Sequence, residues 1–156
     1  MISSQILKEF KLFNGLDDSE LAKIAEFCYE RSLKSNTICF NQDRDATDVH
    51  LCRSGEVDII IQLYEPWGTE VRVHKIRKGE VFGWSALLEP HTYTSSAKCA
   101  GIVEEVYIKG PDLLNLLEQN LHMGYVVMRN LSAIISSRLT QDRQRLSREL
   151  SPDFQL

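Results

Sequence analysis

Hydrophobic residues near the N-terminus recur at the spacing of an amphipathic helix. The first group is Ile6, Leu7, Phe10 and Phe13, and the segment LDDSELAKIAEFCYE continues the pattern with Leu21, Ile24, Ala25 and Cys28. We therefore predict two short helices within residues 1–31. Asp17 or Asp18 is expected to begin the second, because a short side-chain oxygen accepts a hydrogen bond from a free amide of the first turn.

From about Ser32 to residue 109 the pattern changes to alternating or clustered β-branched residues, which is typical of short strands. Runs such as TICF, DVHLC, EVDIIIQL, EVRVHKI and AKCAGIVEEVYI are separated by polar breaks at a spacing of roughly ten residues. This rhythm predicts an antiparallel β-roll, a jelly-roll-like double-stranded β-helix of about eight strands. The segment YEPWGT is predicted to be a hairpin loop between two of them.

The helical period returns after Gly110 and predicts one long C-terminal helix over residues 110–150, bent near Gly124. Its apolar stripe is Leu113, Leu116, Leu117, Leu121, Tyr125, Met128, Leu131, Ile135 and Leu139. The stripe could pack on its own domain or pair with the same helix of a second copy. It is longer than a small roll covers easily, which favours the homodimer. The arginines in RNLSAIISSRLTQDRQRLSR are expected to lie on a solvated helix end.

Composition narrows the class of protein. A chain of 156 residues predicts a single domain, 1–156, that is mainly β with flanking helices. Its formal charge of −4 gives no electrostatic support for nucleic-acid binding. The N-terminus lacks the continuous apolar core of a signal peptide, and we expect a cytoplasmic protein with no membrane partner. The four cysteines have no metal-ligand spacing and are expected to be reduced: Cys28, Cys39, Cys52 and Cys99.

An enzyme is not expected, because the sequence has no GxSxG, GxxxxGK[ST] or HExxH motif. The adjacent acids Glu104 and Glu105 are interpreted as solvated surface residues. The histidines lie far apart in sequence. His50 and His74 could approach one another in a roll, but a lone strand histidine is usually a partly buried polar residue, so no metal or haem site is predicted.

The candidate chemistry is concentrated in GEVFGWSALLEPHTYTSS, residues 79–96. Gly83 lacks a side chain that would block a ligand from the backbone, and Ser85 and Ala86 are small enough to keep the approach open. A short helical turn beginning there would direct free amides toward a ligand. These features together predict a cradle for an anion.

Three stretches are similar to the cyclic-nucleotide-binding domain family, which includes the effector domain of the catabolite activator protein. They are LFNGLDDSELAKIA, VHLCRSGEVDI and IRKGEVFGWSALL, with glycines at Gly55, Gly79 and Gly83 in the family's order. The resemblance covers about residues 10 to 140. It implies a β-roll that binds a cyclic nucleotide at the Gly83 turn and transmits binding to the helix that follows.

The sequence departs from the family at two positions that the resemblance makes important. Members that bind cyclic AMP carry a glutamate for the ribose after the glycine and an arginine for the phosphate nine residues later. Trp84 and Tyr93 stand there in this chain. A lost charge-assisted contact costs roughly 1.5 to 3 kcal/mol, which argues against the family's usual mode of cyclic AMP binding. His91 is the only cation nearby in sequence that could substitute.

Two interpretations of the turn remain open. A pocket of aromatic faces and hydroxyl groups, suited to a cyclic nucleotide or another small ligand, could be lined by Trp84, Tyr93, Thr94, Ser95 and Ser96. Alternatively, the two aromatic side chains simply close an empty roll.

The first interpretation predicts a regulatory or sensory module, and the second an interaction or dimerisation module that uses the C-terminal helix. The few residues after that helix, SPDFQL, are too short for a helix-turn-helix domain, so no direct contact with nucleic acid is expected from this chain.

Overall fold

The computed structural model of the chain describes residues 1–151. The N-terminal segment forms two 3-10 helices, Ser4–Glu9 and Lys11–Phe13, and one α-helix, α1 (Asp18–Ala25). The first predicted helix is therefore two short 3-10 helices, because Phe10 is extended between them. The Asp17 carboxylate accepts from the Glu20 amide at 2.8 Å, and the Glu20 carboxylate accepts from the Asp17 amide at 3.1 Å. This reciprocal capping begins α1 as predicted.

Within residues 1–151, eight strands form two four-stranded antiparallel sheets, which confirms the predicted fold class. One sheet has the order β1-β8-β3-β6 and the other β2-β7-β4-β5. The strands are β1 (Cys28–Leu33), β2 (Ile38–Phe40), β3 (Asp48–Ser54), β4 (Val57–Gln62), β5 (Glu70–Ile76), β6 (Val81–Phe82), β7 (Ser96–Cys99) and β8 (Val103–Lys109). The first strand thus begins at Cys28, before the expected Ser32, and YEPWGT joins the paired strands β4 and β5.

The C-terminal segment is two helices, α2 (Gly110–Gln119) and α3 (Leu121–Leu150). The predicted long C-terminal helix is confirmed in α3, but it begins at Leu121 after a break, and not at residue 110 with a bend near Gly124. The chain breaks at Asn120, where φ is −130° and ψ is 85°. The Asn120 side-chain amide donates to the Leu116 carbonyl at 2.9 Å and competes with helical hydrogen bonding. Gly124 instead permits close packing, because a Cβ there would lie 2.7 Å from the Leu117 carbonyl oxygen.

The first half of α3 packs on its own domain. Its buried face consists of Met123, Val126, Val127 and Leu131. The Asn130 side chain also donates to the carbonyl groups of Leu12 and Asn14, at 3.0 and 2.8 Å. The predicted stripe is therefore divided, since Leu121, Tyr125 and Leu139 are exposed. Within residues 1–151 no helix is both long enough and apolar enough to cross a bilayer.

Glu105 is buried, contrary to the expectation that the Glu104–Glu105 pair lies on the solvated surface. Arg31 lies opposite Glu105 in the pairing of β1 with β8, and its Nε donates to the carboxylate at 2.6 Å. Nδ1 of the buried His50 lies 3.1 Å from the same carboxylate. Glu104 remains exposed, so only one member of the pair belongs to the interior ion cluster.

Candidate ligand-binding site

A cavity of about 690 Å³ opens between the mouth of the β-roll, the turn after Gly83 and the far end of α3. Its volume is in the range of small-molecule sites. Six of the seven residues predicted from the sequence line it: Gly83, Trp84, Ser85, Tyr93, Thr94 and Ser95. Apolar side chains of β4 and β5, such as Ile59 and Val73, form much of the remaining wall.

Ala86 is the one predicted site residue that does not line this cavity. It is buried, and its carbonyl lies 3.1 Å from Nδ1 of His91, which donates to it. On its other side, a Cβ at Gly110 would lie only 2.5 Å from the Ala86 carbonyl oxygen. Ala86 therefore packs the turn against the start of α2 and has a structural role.

Gly83 adopts a left-handed conformation, with φ at 70°, at the start of the 3-10 helix Trp84–Leu87. A Cβ at this position would lie 2.9 Å from Cδ2 of His50 and 3.1 Å from Cε1 of Phe40. Both rings are buried inside the roll. The glycine is therefore required by backbone conformation and interior packing, whereas the sequence argument attributed it to ligand access.

Tyr93 closes the interior of the roll. Its ring stacks on Phe40 with centroids 3.9 Å apart. Its hydroxyl donates to the Asp48 carbonyl at 2.9 Å and accepts from the Asp48 amide at 3.2 Å. Burial raises the pKa of Tyr93 above its ordinary value. These contacts favour the packing interpretation for Tyr93, which has only part of its surface on the cavity.

Trp84 has a different environment, because it is half-buried and contacts α3. The guanidinium carbon of Arg138 lies 5.1 Å from the centroid of the indole ring, within the range of a cation–π interaction. Trp84 therefore joins the turn to the helix across one side of the cavity.

The positive charge at the cavity comes from α3. His91 does not supply it, because its ring is turned to Ala86 and does not line the cavity. Arg138 and Arg145 do line it, which corrects the expectation of a solvated helix end for these two residues, whereas Arg129, Arg143 and Arg148 are exposed. Their spacing in RLTQDRQR, seven residues apart, places both on one helical face and was a signal that the sequence analysis missed.

Arg145 holds the far end of α3 against the roll. Its Nη1 donates to the carbonyl groups of Arg72 and Val73 on β5, at 3.2 and 3.3 Å. Its Nε donates to the Glu149 carboxylate at 2.9 Å. Arg145 is thus provided with acceptors from the protein itself.

The model of the cyclic nucleotide-binding domain matches residues 30–120 of the sequence, more than half of the chain. The chain belongs to the cyclic nucleotide-binding domain family. The matched residues of this domain include the turn at Gly83 and α2, whereas α3 lies beyond them.

Solved structures agree with this membership. A protein of Geobacter metallireducens GS-15, assigned as a cyclic nucleotide-binding protein, is 32% identical with a TM-score of 0.77, over 89% of this chain and 99% of that one. The catabolite activator protein of Thermus thermophilus is 24% identical with a TM-score of 0.73, over 88% of this chain and 62% of its own.

A third similar structure is the c-di-GMP-responsive global regulator CLP of Xanthomonas campestris. It is 20% identical with a TM-score of 0.72, over 85% of this chain and 64% of its own. At these identities the last two structures support the fold alone. All three are described as binding or regulatory proteins rather than enzymes. Among curated proteins, none matches the sequence significantly.

Proposed function

We propose that this chain is a regulatory module whose small-molecule ligand fills the cavity between the Gly83 turn and α3. The proposal rests on the fact that two separate parts of the chain, the turn and α3, both contribute residues to the cavity wall. Ser85, Thr94 and Ser95 come from the turn and the segment after it, while Arg138 and Arg145 come from the helix. A ligand that contacts both parts binds more tightly to the arrangement in which α3 lies over the roll.

Regulation follows as a shift between two arrangements of α3. In the ligand-free protein the helix exchanges between covering and leaving the mouth of the roll, and the ligand favours the covering arrangement by its contacts with both walls. The N-terminal half of α3 is buried against residues of the N-terminal segment, so the motion is confined to the far half.

The proposed ligand is a cyclic nucleotide or a related nucleotide, held differently from the usual mode of the family. Tyr93 stands where that mode needs an arginine, and its hydroxyl is already bonded to Asp48. The indole of Trp84 offers a face for stacking, and three hydroxyl groups offer hydrogen bonds, from Ser85, Thr94 and Ser95. The proposed setting is the cytoplasm, with no direct contact between this chain and nucleic acid.

Calorimetric titration with cyclic AMP, cyclic GMP and cyclic di-GMP tests the proposal, up to millimolar ligand. Thr94→Trp should abolish binding, because Thr94 is exposed at the cavity and a bulky ring there fills it without disturbing the interior. Thr69→Trp, in the exposed hairpin loop, is the matched control and should bind as the unmodified chain does. Absence of binding to all three ligands by a folded protein would remove the proposal.

Coupling to the helix is measured in the same samples by hydrogen exchange. Ligand should slow exchange in the far half of α3, residues 138–149, and leave the first turn of α1 unchanged. Binding without altered exchange in α3 would show that the cavity is occupied without the proposed regulation.

A homodimer through α3 is a second candidate function, and the exposed apolar residues of the helix favour it. Tyr125, Leu139, Leu146 and Leu150 have exposed fractions of 66%, 48%, 54% and 46%. Sedimentation equilibrium at micromolar concentration should detect a dimer that Leu139→Glu weakens. Gln144→Glu adds the same charge at another exposed position of α3 and should leave the association unchanged. A monomer at all concentrations would exclude this candidate.

A further inference from the structure

Arg138 and Arg145 line the same cavity but differ in their partners. Arg145 donates to two carbonyl groups of β5 and to Glu149. Arg138 is half-buried, and no carboxylate of residues 1–151 lies within 4.0 Å of its guanidinium group. Within these residues, its guanidinium group makes a cation–π contact with the face of the Trp84 ring. Among residues 1–151, Arg138 therefore has neither a carboxylate partner nor a hydrogen bond to another residue, unlike Arg145.

The electrostatic surroundings of Arg138 leave this charge only partly compensated. Burial lowers the pKa of Arg138, while the carboxylates of Glu80 and Asp142 act in the opposite direction from a longer distance. An arginine nonetheless stays protonated in proteins, so the charge persists at the edge of the cavity. A partly desolvated cation with free donors gains from an anionic partner that brings acceptor oxygens.

The position of Arg138 is defined by Trp84. The indole follows Gly83 directly and supports the guanidinium from one side, at 5.1 Å. Ser85 and the neighbouring hydroxyl groups of Thr94 and Ser95 line the same space. Asp142 and Glu149 also line this space, and Glu149 is bonded to Arg145. The guanidinium of Arg138 and the hydroxyl groups remain as donors suited to a phosphate group, which offers several acceptor oxygens.

We propose that Arg138 binds the phosphate diester of the ligand, with Trp84 as its support. The cation that this chain lacks in the turn is then supplied from α3, 45 residues after Tyr93 in sequence. This inference rests on the proposed function, since it assigns a residue to the same cavity. It also gives the helix a direct contact with the ligand, so that the phosphate itself holds α3 over the roll.

The experiment is titration of Arg138→Ala and Arg138→Lys with the cyclic nucleotide that the unmodified protein binds, and with the uncharged nucleoside of the same base. Loss of the guanidinium should weaken cyclic-nucleotide binding by about 10- to 150-fold. Lysine keeps the charge but not the planar fork or the stacking, so Arg138→Lys should lose less than alanine. Nucleoside affinity should change little, because the nucleoside has no phosphate.

Arg143→Ala is the matched control, because Arg143 is exposed on α3 and does not line the cavity. It should bind both compounds as the unmodified protein does. Equal affinity of Arg138→Ala and Arg143→Ala for the cyclic nucleotide would overturn the assignment of Arg138. The proposed function would still stand in that case if Thr94→Trp abolishes binding. An equal loss of nucleoside and nucleotide affinity would also overturn it, as a packing effect. Absence of binding by the unmodified protein would remove both proposals.

Discussion

Substitution of Gly83 by alanine is the sharpest test of how the turn is built. The residue has a left-handed φ of 70°, and its missing Cβ would point into the roll. That Cβ would lie 2.9 Å from Cδ2 of His50 and 3.1 Å from Cε1 of Phe40, and both rings are buried. We expect Gly83→Ala to destabilise the fold even without a ligand.

Two physical terms give the magnitude. A left-handed conformation costs an L-residue about 1 to 2 kcal/mol. Overpacking of a rigid interior typically costs about 1 to 3 kcal/mol more, because a buried ring cannot retreat as a flexible side chain can. The free energy of unfolding should fall by about 2 to 5 kcal/mol, which is a shift in Tm of roughly 4 to 20 °C for a chain of this length.

Urea denaturation at neutral pH measures this change, and Gly101→Ala is the matched control. No heavy atom lies within 4 Å of the Cβ position at Gly101, and its φ is outside the left-handed region. That variant should stay within about 0.5 kcal/mol of the unmodified protein. Equal stability of the two variants would refute the close packing of Gly83 on His50 and Phe40. If Gly83→Ala is destabilised as expected, loss of ligand binding in it does not by itself locate the ligand.

Three further variants test the interior. Glu105→Ala should lower the free energy of unfolding by about 2 to 3 kcal/mol, because it leaves the buried His50 and the partly exposed Arg31 without their carboxylate partner. Glu104→Ala should be nearly neutral in the same urea titration. Tyr93→Phe removes both hydrogen bonds to the Asp48 backbone and should cost about 1 to 2 kcal/mol; an unchanged midpoint would contradict the hydroxyl's structural role. Burial raises the pKa of the Cys28 thiol to about 12 from its ordinary value of 9.0, so the thiol of the unfolded chain ionises first and stability falls as pH rises from about 9 toward 12. At pH 10 the resulting loss in the free energy of unfolding is about 1.4 kcal/mol. Cys28→Ala should therefore lose less stability than the unmodified chain as pH rises. An equal dependence of stability on pH in the two proteins would contradict the raised pKa of Cys28.

The strands could be predicted because their signal is local. Alternation of side chains and glycine-containing breaks depend on a few neighbouring residues, and the roll of eight strands follows from them. The break between α2 and α3 could not be predicted in the same way. Apolar periodicity continues through Asn120, and the break there depends on a side-chain amide that bonds to Leu116.

In the candidate site, too, the residues of one local segment could be predicted, whereas those brought in by the tertiary structure could not. Gly83, Ser85, Thr94 and the other lining residues of the turn lie within one continuous segment and could be found from its composition. Arg138 could not, because its place depends on the direction in which α3 leaves the joint at Asn120. Glu105 was missed for a related reason. An acidic residue is usually exposed, and only the pairing of β1 with β8 brings Arg31 opposite it.

In the proposed exchange of α3, the hydrogen bonds of Arg145 oppose opening of the cavity. They join the far half of α3 to two carbonyl groups of β5. Partly exposed bonds of this kind contribute about 1 to 2 kcal/mol in total, so their loss should raise the population of a detached helix end by roughly 5- to 30-fold. In the proposed exchange, the detached state lets a ligand enter without a separate lid, on the microsecond to millisecond timescale of collective helix motion. Residence time in the cavity is then governed by the same helix end, and a substitution at Arg145 should shorten it without removing any atom that touches the phosphate.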